Sequence, residues 1–433
     1  MRAERLWRKA GGAAATAAAA AAVLTAVGCS SGPAPGHVGH PGTNSSPAES
    51  PRAASPAASQ QSAAAAAAQA LQGPAAVATP AQLAALRAQQ HEIAQLSPAQ
   101  QAGQRVIYSY NGLSAPPGLL SDIRHGLVGG VIFFGFNISS EAQISGVIAQ
   151  MIAANDSPTN PARGYPLLLM TDQEGGLVRR LPGPPLESEA QIGAGANPAA
   201  AAAAAGTSAA QNLRGVGMNV NLAPVLDVYR QAGDFDDQYQ RSYSMNPQIV
   251  AEAGASFITA QQAGGVAATA KHFPGLGAAG ASQDTDNEPV TIGLAAATLR
   301  TVDEAPYQAA IQAGVKLVMV DWASYPSLGT SLPAALAPAI VQGQLEQGLG
   351  FEGVTITDAL GAGALQAYGD LQNRTLLAAR AGMDALLCTA EKPLPGWKCA
   401  AGLQDGYSDG ALPKTAFEAQ LAQLLQLRAS LPT

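Results

Sequence analysis

From residue 105 to residue 388 the chain repeats one order, a short apolar run of strand type followed by a stretch with helical spacing. The strand-type runs are Arg105–Tyr110, Gly129–Phe134, Tyr165–Asp172, Asn219–Pro224, Val266–His272, Val315–Val320, Val354–Asp358 and Met383–Cys388. Between them the spacing predicts helices near Pro117–Gly126, Ser140–Ala154, Pro198–Arg214, Pro247–Ala263, Leu294–Gln312, Ala335–Gly348 and Leu371–Gly382, with a final one over Phe417–Leu427. Near-continuous apolar strands alternating with helices mark parallel strands buried on both faces. Eight such pairs over roughly 330 residues predict an α/β fold of the (β/α)8 barrel type, in a single domain. A doubly wound open sheet is the rival, but no Gly-x-Gly-x-x-Gly turn follows the first strand. One further helix is expected ahead of the barrel, over Gln82–Gln104.

The residues before the barrel belong to another physical class. Arg2, Arg5, Arg8 and Lys9 form a basic leader, Ala13–Val27 is an unbroken small or apolar run, and Gly28-Cys29 follows. The run is too short and alanine-rich to span a bilayer comfortably and reads as an export signal. Leu24-Thr25-Ala26-Val27-Gly28-Cys29 is similar to a bacterial lipobox, which makes residues 1–28 a lipoprotein signal peptide and Cys29 the expected site of lipidation. A plain secretory peptide cleaved nearby is the alternative. Residues 29–81 are mostly Ala, Pro, Ser and Gly; they cannot bury a core and are expected to be a disordered tether. This stretch is the main reason why only 12% of the 433 residues are charged, against about a quarter in an ordinary soluble protein. With a net charge of −7 and no basic block beyond the leader, nucleic acid is excluded as the expected partner. Outside the cytosol, Cys388 and Cys399 are close enough in sequence to pair; one buried thiol and one loop thiol is the other reading.

In a barrel of this type chemistry sits where the strands end. The third strand runs into Thr171-Asp172-Gln173-Glu174-Gly175-Gly176, with Arg179 and Arg180 beyond it. The fourth leads to Asp227 and, later, Arg241-Ser242. The fifth ends in Lys271-His272 and breaks at Phe273-Pro274-Gly275-Leu276-Gly277 before Asp284-Thr285-Asp286. The sixth ends at Asp321 and the seventh at Asp358. Carboxylates, guanidiniums, an ammonium and an imidazole thus share one mouth without a metal-ligand pattern. That mixture suits a neutral polyhydroxylated ligand, whose hydroxyls donate to carboxylates and accept from Arg and Lys. From its position alone, Asp358 is a nucleophile or the partner of a cation. Asp227 reads as a loop brace.

These residues, taken in order, resemble the β-N-acetylglucosaminidase branch of glycoside hydrolase family 3 in its single-domain form. The matching stretches are Gly130–Ile138, Asp172–Gly176, Leu222–Val228, Arg241–Tyr243, Lys271–Gly275 and Ile356–Asp358, covering nearly everything after the tether. The resemblance assigns residues 82–433 to that family's barrel domain. It implies a retaining hydrolase that removes terminal β-linked N-acetylglucosamine, typically from peptidoglycan-derived glycans, without a cofactor or metal and as a monomer. Asp358 matches the nucleophile. Asp172, Arg180, Arg241, Lys271 and His272 match positions that hold the sugar.

Three positions depart from the family pattern. Leu177 stands where Arg is common, Leu276 where His or Arg is frequent, and Asp286 where the branch carries its acid/base histidine. A carboxyl can replace that histidine if burial or a neighbouring charge raises its pKa. Asp286 and Asp284 are therefore the candidate acids. His125 is the remaining barrel histidine and is expected away from the mouth. Two other functions follow from the same residues. One is an exported, membrane-anchored sugar-binding protein with impaired catalysis. The other is a Schiff-base aldolase using Lys271, disfavoured by the hydroxyl-binding residues around it.

Overall fold

The computed structural model describes residues 80–390 and 392–432. The expected signal peptide, Cys29 and the tether up to residue 79 lie outside the described residues. The unit Ala84–Thr433 carries the barrel.

Eight parallel strands form its wall: β1 (Val106–Tyr108), β2 (Gly130–Ile132), β3 (Leu168–Thr171), β4 (Val220–Asn221), β5 (Ala267–Phe273), β6 (Leu317–Val320), β7 (Val354–Thr357) and β8 (Leu386–Leu387). They pair in the order β8-β1-β2-β3-β4-β5-β6-β7. A parallel bridge from Ile356 to Ala385, just ahead of β8, joins the two ends of the sheet. The (β/α)8 barrel expected from the alternation is the observed fold.

Alternate strand residues point into and out of such a barrel, and both sets are apolar here. Ile107, Ile132, Leu168, Met170, Leu317 and Ile356 belong to the inner core, which Leu424 and Leu427 of the helix Lys414–Ser430 join, together with Leu431 just beyond it. Val106, Tyr108, Val131, Leu169 and Val318 pack outward against the helices. Arg428, fully buried on the last helix, donates to the carbonyls of Tyr165 and Pro166 and to Gln104 at the N-terminal ends of the strands. That end of the barrel is therefore structural, and the opposite end is open to loops.

Several helices differ from expectation, among them the predicted Ala335–Gly348, which is a 3-10 turn over Ala334–Leu336 followed by a π-helix over Ala339–Gly348. The predicted Gln82–Gln104 helix is two, Pro80–Gln95 and Pro98–Gly103, because Ser97 forms a capping box with Gln100 and Pro98 starts a new helix. The predicted Leu294–Gln312 helix breaks into Ala296–Thr298, a π-helical turn and Ala305–Gln312, which has Pro306 in its first turn. A helix over Gly396–Ser408 has no counterpart in the periodicity. Cys388 and Cys399 are joined by a disulfide across the loop before it.

Candidate active site

Asp172 follows β3 directly. Beyond it the chain folds back as an antiparallel ribbon, Gln173–Gly175 with Val178–Arg179. The turn needs Gly175 and Gly176, which have φ of 125° and 51°. Asn221 at the end of β4 clamps the ribbon, bonding both the N–H and the carbonyl of Gln173 at 2.9 and 3.0 Å. The return strand brings the Arg180 guanidinium to 3.8 Å from the Asp172 carboxylate. Proximity of these two residues is thus a product of the local turn.

Lys271 and His272 lie within β5, which is buried along its whole length. The Lys271 ammonium is 2.9 Å from Asp172 Oδ1 and 2.7 Å from Glu174 Oε1. Glu174 also receives both arms of Arg241, each at 3.0 Å. Arg241 reaches on to Asp236 at 3.4 Å and to His272 Nε2 at 3.3 Å. Asp172, Arg180, Arg241, Lys271 and His272, all expected at the mouth, form one network.

Burial and the paired charges together set the protonation states. For Asp172 it acts to raise the pKa, but Lys271 and Arg180 outweigh it and bring the carboxyl down to about 2. Burial would likewise lower Lys271, yet Asp172 and Glu174 hold it above its ordinary value. His272 is lowered to about 4, by burial first and then by Arg241. It is therefore a neutral imidazole at working pH, donating from Nδ1 to Asp227 at 2.7 Å and accepting at Nε2.

Asp227 braces this loop. Besides the imidazole it accepts the His272 N–H at 3.2 Å and the Leu276 N–H at 2.6 Å. Burial raises its own carboxyl to about 6, and burial with Asp227 nearby raises Asp236 to about 7. Asp227, Asp236 and His272 bring three potential ligand atoms within 4.8 Å of one another. The Arg241 guanidinium supplies positive charge at that point.

Asp358 follows β7, half-buried, its Oδ1 held by the Ala359 N–H at 2.6 Å. Its charge is felt at His272 and at Asp321, which places it in the field of the same mouth. Asp284 and Asp286 occupy a turn in the loop after β5. Asp284 takes the Asp286 N–H at 2.9 Å and the Asn287 amide at 2.6 Å. The turn is docked on the segment beyond Asp358, Gly363 donating to the Asp286 carbonyl at 2.7 Å and Ala364 to that of Thr285 at 3.1 Å. A side chain on Gly363 would come within 2.1 Å of the Asn287 carbonyl oxygen, so the acidic turn sits flush against that segment.

Leu177 is exposed on the ribbon turn and Leu276 is buried. His125 ends the helix Pro117–Arg124 ahead of β2, on the end of the barrel remote from the mouth, and bonds the Ser121 carbonyl. Sequence reasoning gave no role to Glu174 or Asp236. Glu174 had a signal in its spacing from Asp172, two residues further along the segment that leaves β3. Asp236 had none.

An eightfold barrel that gathers its carboxylates and cations at the C-terminal mouth has the architecture of a barrel enzyme. The profile described as "Glycosyl hydrolase family 3 N terminal domain" matches residues 112–427. An "Uncharacterized secreted glycosyl hydrolase" of Arthroderma benhamiae is 42% identical over 332 residues, covering 76% of this chain and 93% of that protein. A "Beta-hexosaminidase" of Stenotrophomonas maltophilia is 33% identical over 61% of this chain and 77% of its own. Among solved structures, a glycoside hydrolase family 3 β-N-acetylglucosaminidase from a Paenibacillus species aligns with a TM-score of 0.72 at 30% identity, over 77% of this chain and 62% of that one. A β-N-acetylhexosaminidase from Beutenbergia cavernae aligns at 0.68 and 29%, over 77% of this chain and 98% of its own. The chain belongs to glycosyl hydrolase family 3 and is a glycosyl hydrolase acting on carbohydrate.

Proposed function

We propose that the protein is a retaining hydrolase that removes terminal β-linked N-acetylglucosamine from peptidoglycan-derived or related glycans. The observation that carries this reading is Asp358 at the end of β7, in the same mouth as the Asp172–Lys271–Glu174–Arg241–His272 network. The hexosaminidase names of the relatives support the sugar. Asp172, Arg180, Arg241, Lys271 and His272 hold the hydroxyls and the N-acetyl group.

In the first step the Asp358 carboxylate attacks the anomeric carbon, the glycosidic C–O bond breaks, and the leaving oxygen takes a proton from Asp286, with Asp284 the alternative donor. In the second, water attacks the same carbon, gives its proton to that carboxylate, and frees Asp358. Neutral His272 orients sugar and transfers no proton.

The mature protein is exported and held by a lipid at Cys29, with residues 29–81 as a tether and residues 82–433 as the catalytic domain. The name of the Arthroderma relative, a secreted glycosyl hydrolase, supports export, and the leader supports the anchor. Asp286→Ala tests the acid. A general acid contributes about 10²–10⁴ in rate, so kcat/KM for an unactivated disaccharide should fall by that order while kcat/KM for 4-nitrophenyl β-N-acetylglucosaminide, which reports the first step alone, changes little. Equal loss on both substrates overturns the acid role. Sugar binding without turnover of either substrate by the unsubstituted protein favours the binding-protein reading.

A further inference from the structure

We infer that Asp321 acts as a neutral carboxylic acid and, through Tyr325, holds the loop that leads from His272 to the acidic turn. It is a positioning residue, and its bearing on turnover rests on the hydrolase reading above. Asp321 directly follows β6, between the strand of Lys271 and the strand of Asp358, and is fully buried. The chemistry proposed for the mouth leaves it without a role.

A count of hydrogens assigns the proton. The Tyr325 hydroxyl is 3.1 Å from the Gly275 carbonyl oxygen and also bonds Asp321 Oδ2. A phenol has one hydrogen and can satisfy only one of those acceptors. When Tyr325 donates to Gly275, its bond to Asp321 needs a hydrogen on the carboxyl. The other carboxyl oxygen accepts the Ala323 N–H at 2.9 Å, as the carbonyl oxygen of a neutral acid does. Gly275 and Tyr325 are both buried, so a carbonyl left without its donor is costly. The groups that face Asp321 act in the same sense. The charges of Asp227, beyond β4, and of Asp358, beyond β7, reach it, and the Tyr307 and Tyr325 phenols feel its own. Burial first, and then these carboxylates, raise its pKa well above the ordinary value despite the bonds from Tyr325 and Ala323.

What the chain of bonds holds is a single peptide unit, gripped at both poles. Its carbonyl is that of Gly275, met by Tyr325, and its N–H is that of Leu276, taken by Asp227 at 2.6 Å. The two buried carboxyls therefore do opposite work. Asp227 accepts from three N–H groups, whereas Asp321 donates through a phenol. The clamped peptide stands between His272 and the Asp284–Asp286 turn, so its orientation directs the loop toward the proposed acid. An ionised Asp321 would take the Tyr325 hydrogen for itself and release the Gly275 carbonyl.

Two measurements on the full chain test this. At about pH 8, where an ordinary carboxyl is ionised, the infrared difference spectrum between the parent and Asp321→Asn should contain the carbonyl stretch of a protonated carboxyl. Absence of that band overturns the inference whatever the activity. An asparagine amide accepts from Ala323 and donates to Tyr325 as the neutral acid does. This variant should therefore keep kcat/KM for the nitrophenyl glycoside within about twofold of the parent. Asp321→Ala and Tyr325→Phe cut the chain of bonds and should each lower it by about ten- to a hundredfold. Should Asp321→Ala fail to fold, Tyr325→Phe reads the same contact. An asparagine variant as slow as these two, or a Tyr325→Phe protein at the parental rate, also overturns the inference. If the parent hydrolyses no glycoside, the hydrolase reading fails separately, and the infrared band still decides the state of Asp321.

Discussion

Replacing Asp227 by alanine removes three hydrogen bonds at once, those from the His272 N–H, the His272 ring and the Leu276 N–H. Asp227 is fully buried, so the donors left behind have no ready access to water. At about 1–1.5 kcal/mol for each lost bond, the variant should be destabilised by about 3–4 kcal/mol. Asparagine keeps one acceptor oxygen and should lose about half of that. Function should suffer beyond stability, because the same three bonds hold His272 and the Gly275–Gly277 turn in place. The assay is urea unfolding followed by tryptophan fluorescence, with kcat/KM for the nitrophenyl glycoside measured at low urea where the variant is folded. An Asp227→Ala protein within about 1 kcal/mol of the parent would refute the bracing role. So would full destabilisation with unchanged kcat/KM.

The buried carboxyls also fix how stability depends on pH. Burial raises Asp384 from its ordinary 3.8 to about 7 despite bonds from Thr355 and the charge of Arg105. A raised folded pKa contributes stability that is complete below the unfolded value and lost as pH rises through 7. Asp236 acts in the same sense. Asp172, depressed to about 2, acts oppositely, contributing above the unfolded value and losing that contribution as pH falls through 2. Thermal midpoints should therefore peak near about pH 4–5 and decline toward pH 8, with Asp384→Asn flattening the alkaline limb. A midpoint that rises steadily to pH 8 would contradict this ordering.

The alternation of apolar runs revealed the barrel because its strands are buried on both faces, leaving no polar interruptions to mask them. The strand-end charges were equally legible, since a cation or carboxylate closing an apolar strand has few other uses. The helix Gly396–Ser408 escaped for a packing reason. A Cβ on Gly402 would lie 2.5 Å from the Gln372 carbonyl oxygen, and one on Gly406 at the same distance from the Leu376 side chain. Close approach to the helix Leu371–Ala381 thus replaces the apolar periodicity that would announce a helix. Asp236 was hidden because it sits in a four-residue helix, Phe235–Gln238, too short to show a period, although it lies only five residues before Arg241.

The central claim is that Asp358 attacks the anomeric carbon. Its most direct measurement is nitrophenol release from 4-nitrophenyl β-N-acetylglucosaminide by the protein without its first 79 residues, with Asp358→Asn beside it. The activated leaving group needs little help from Asp286, so the nucleophile is read in isolation. The account predicts turnover by the parent and a loss of at least about 10³ in the variant, sugar binding retained, as expected when a group acting in the transition state is removed. An Asp358→Asn protein that turns over at the parental rate would contradict it.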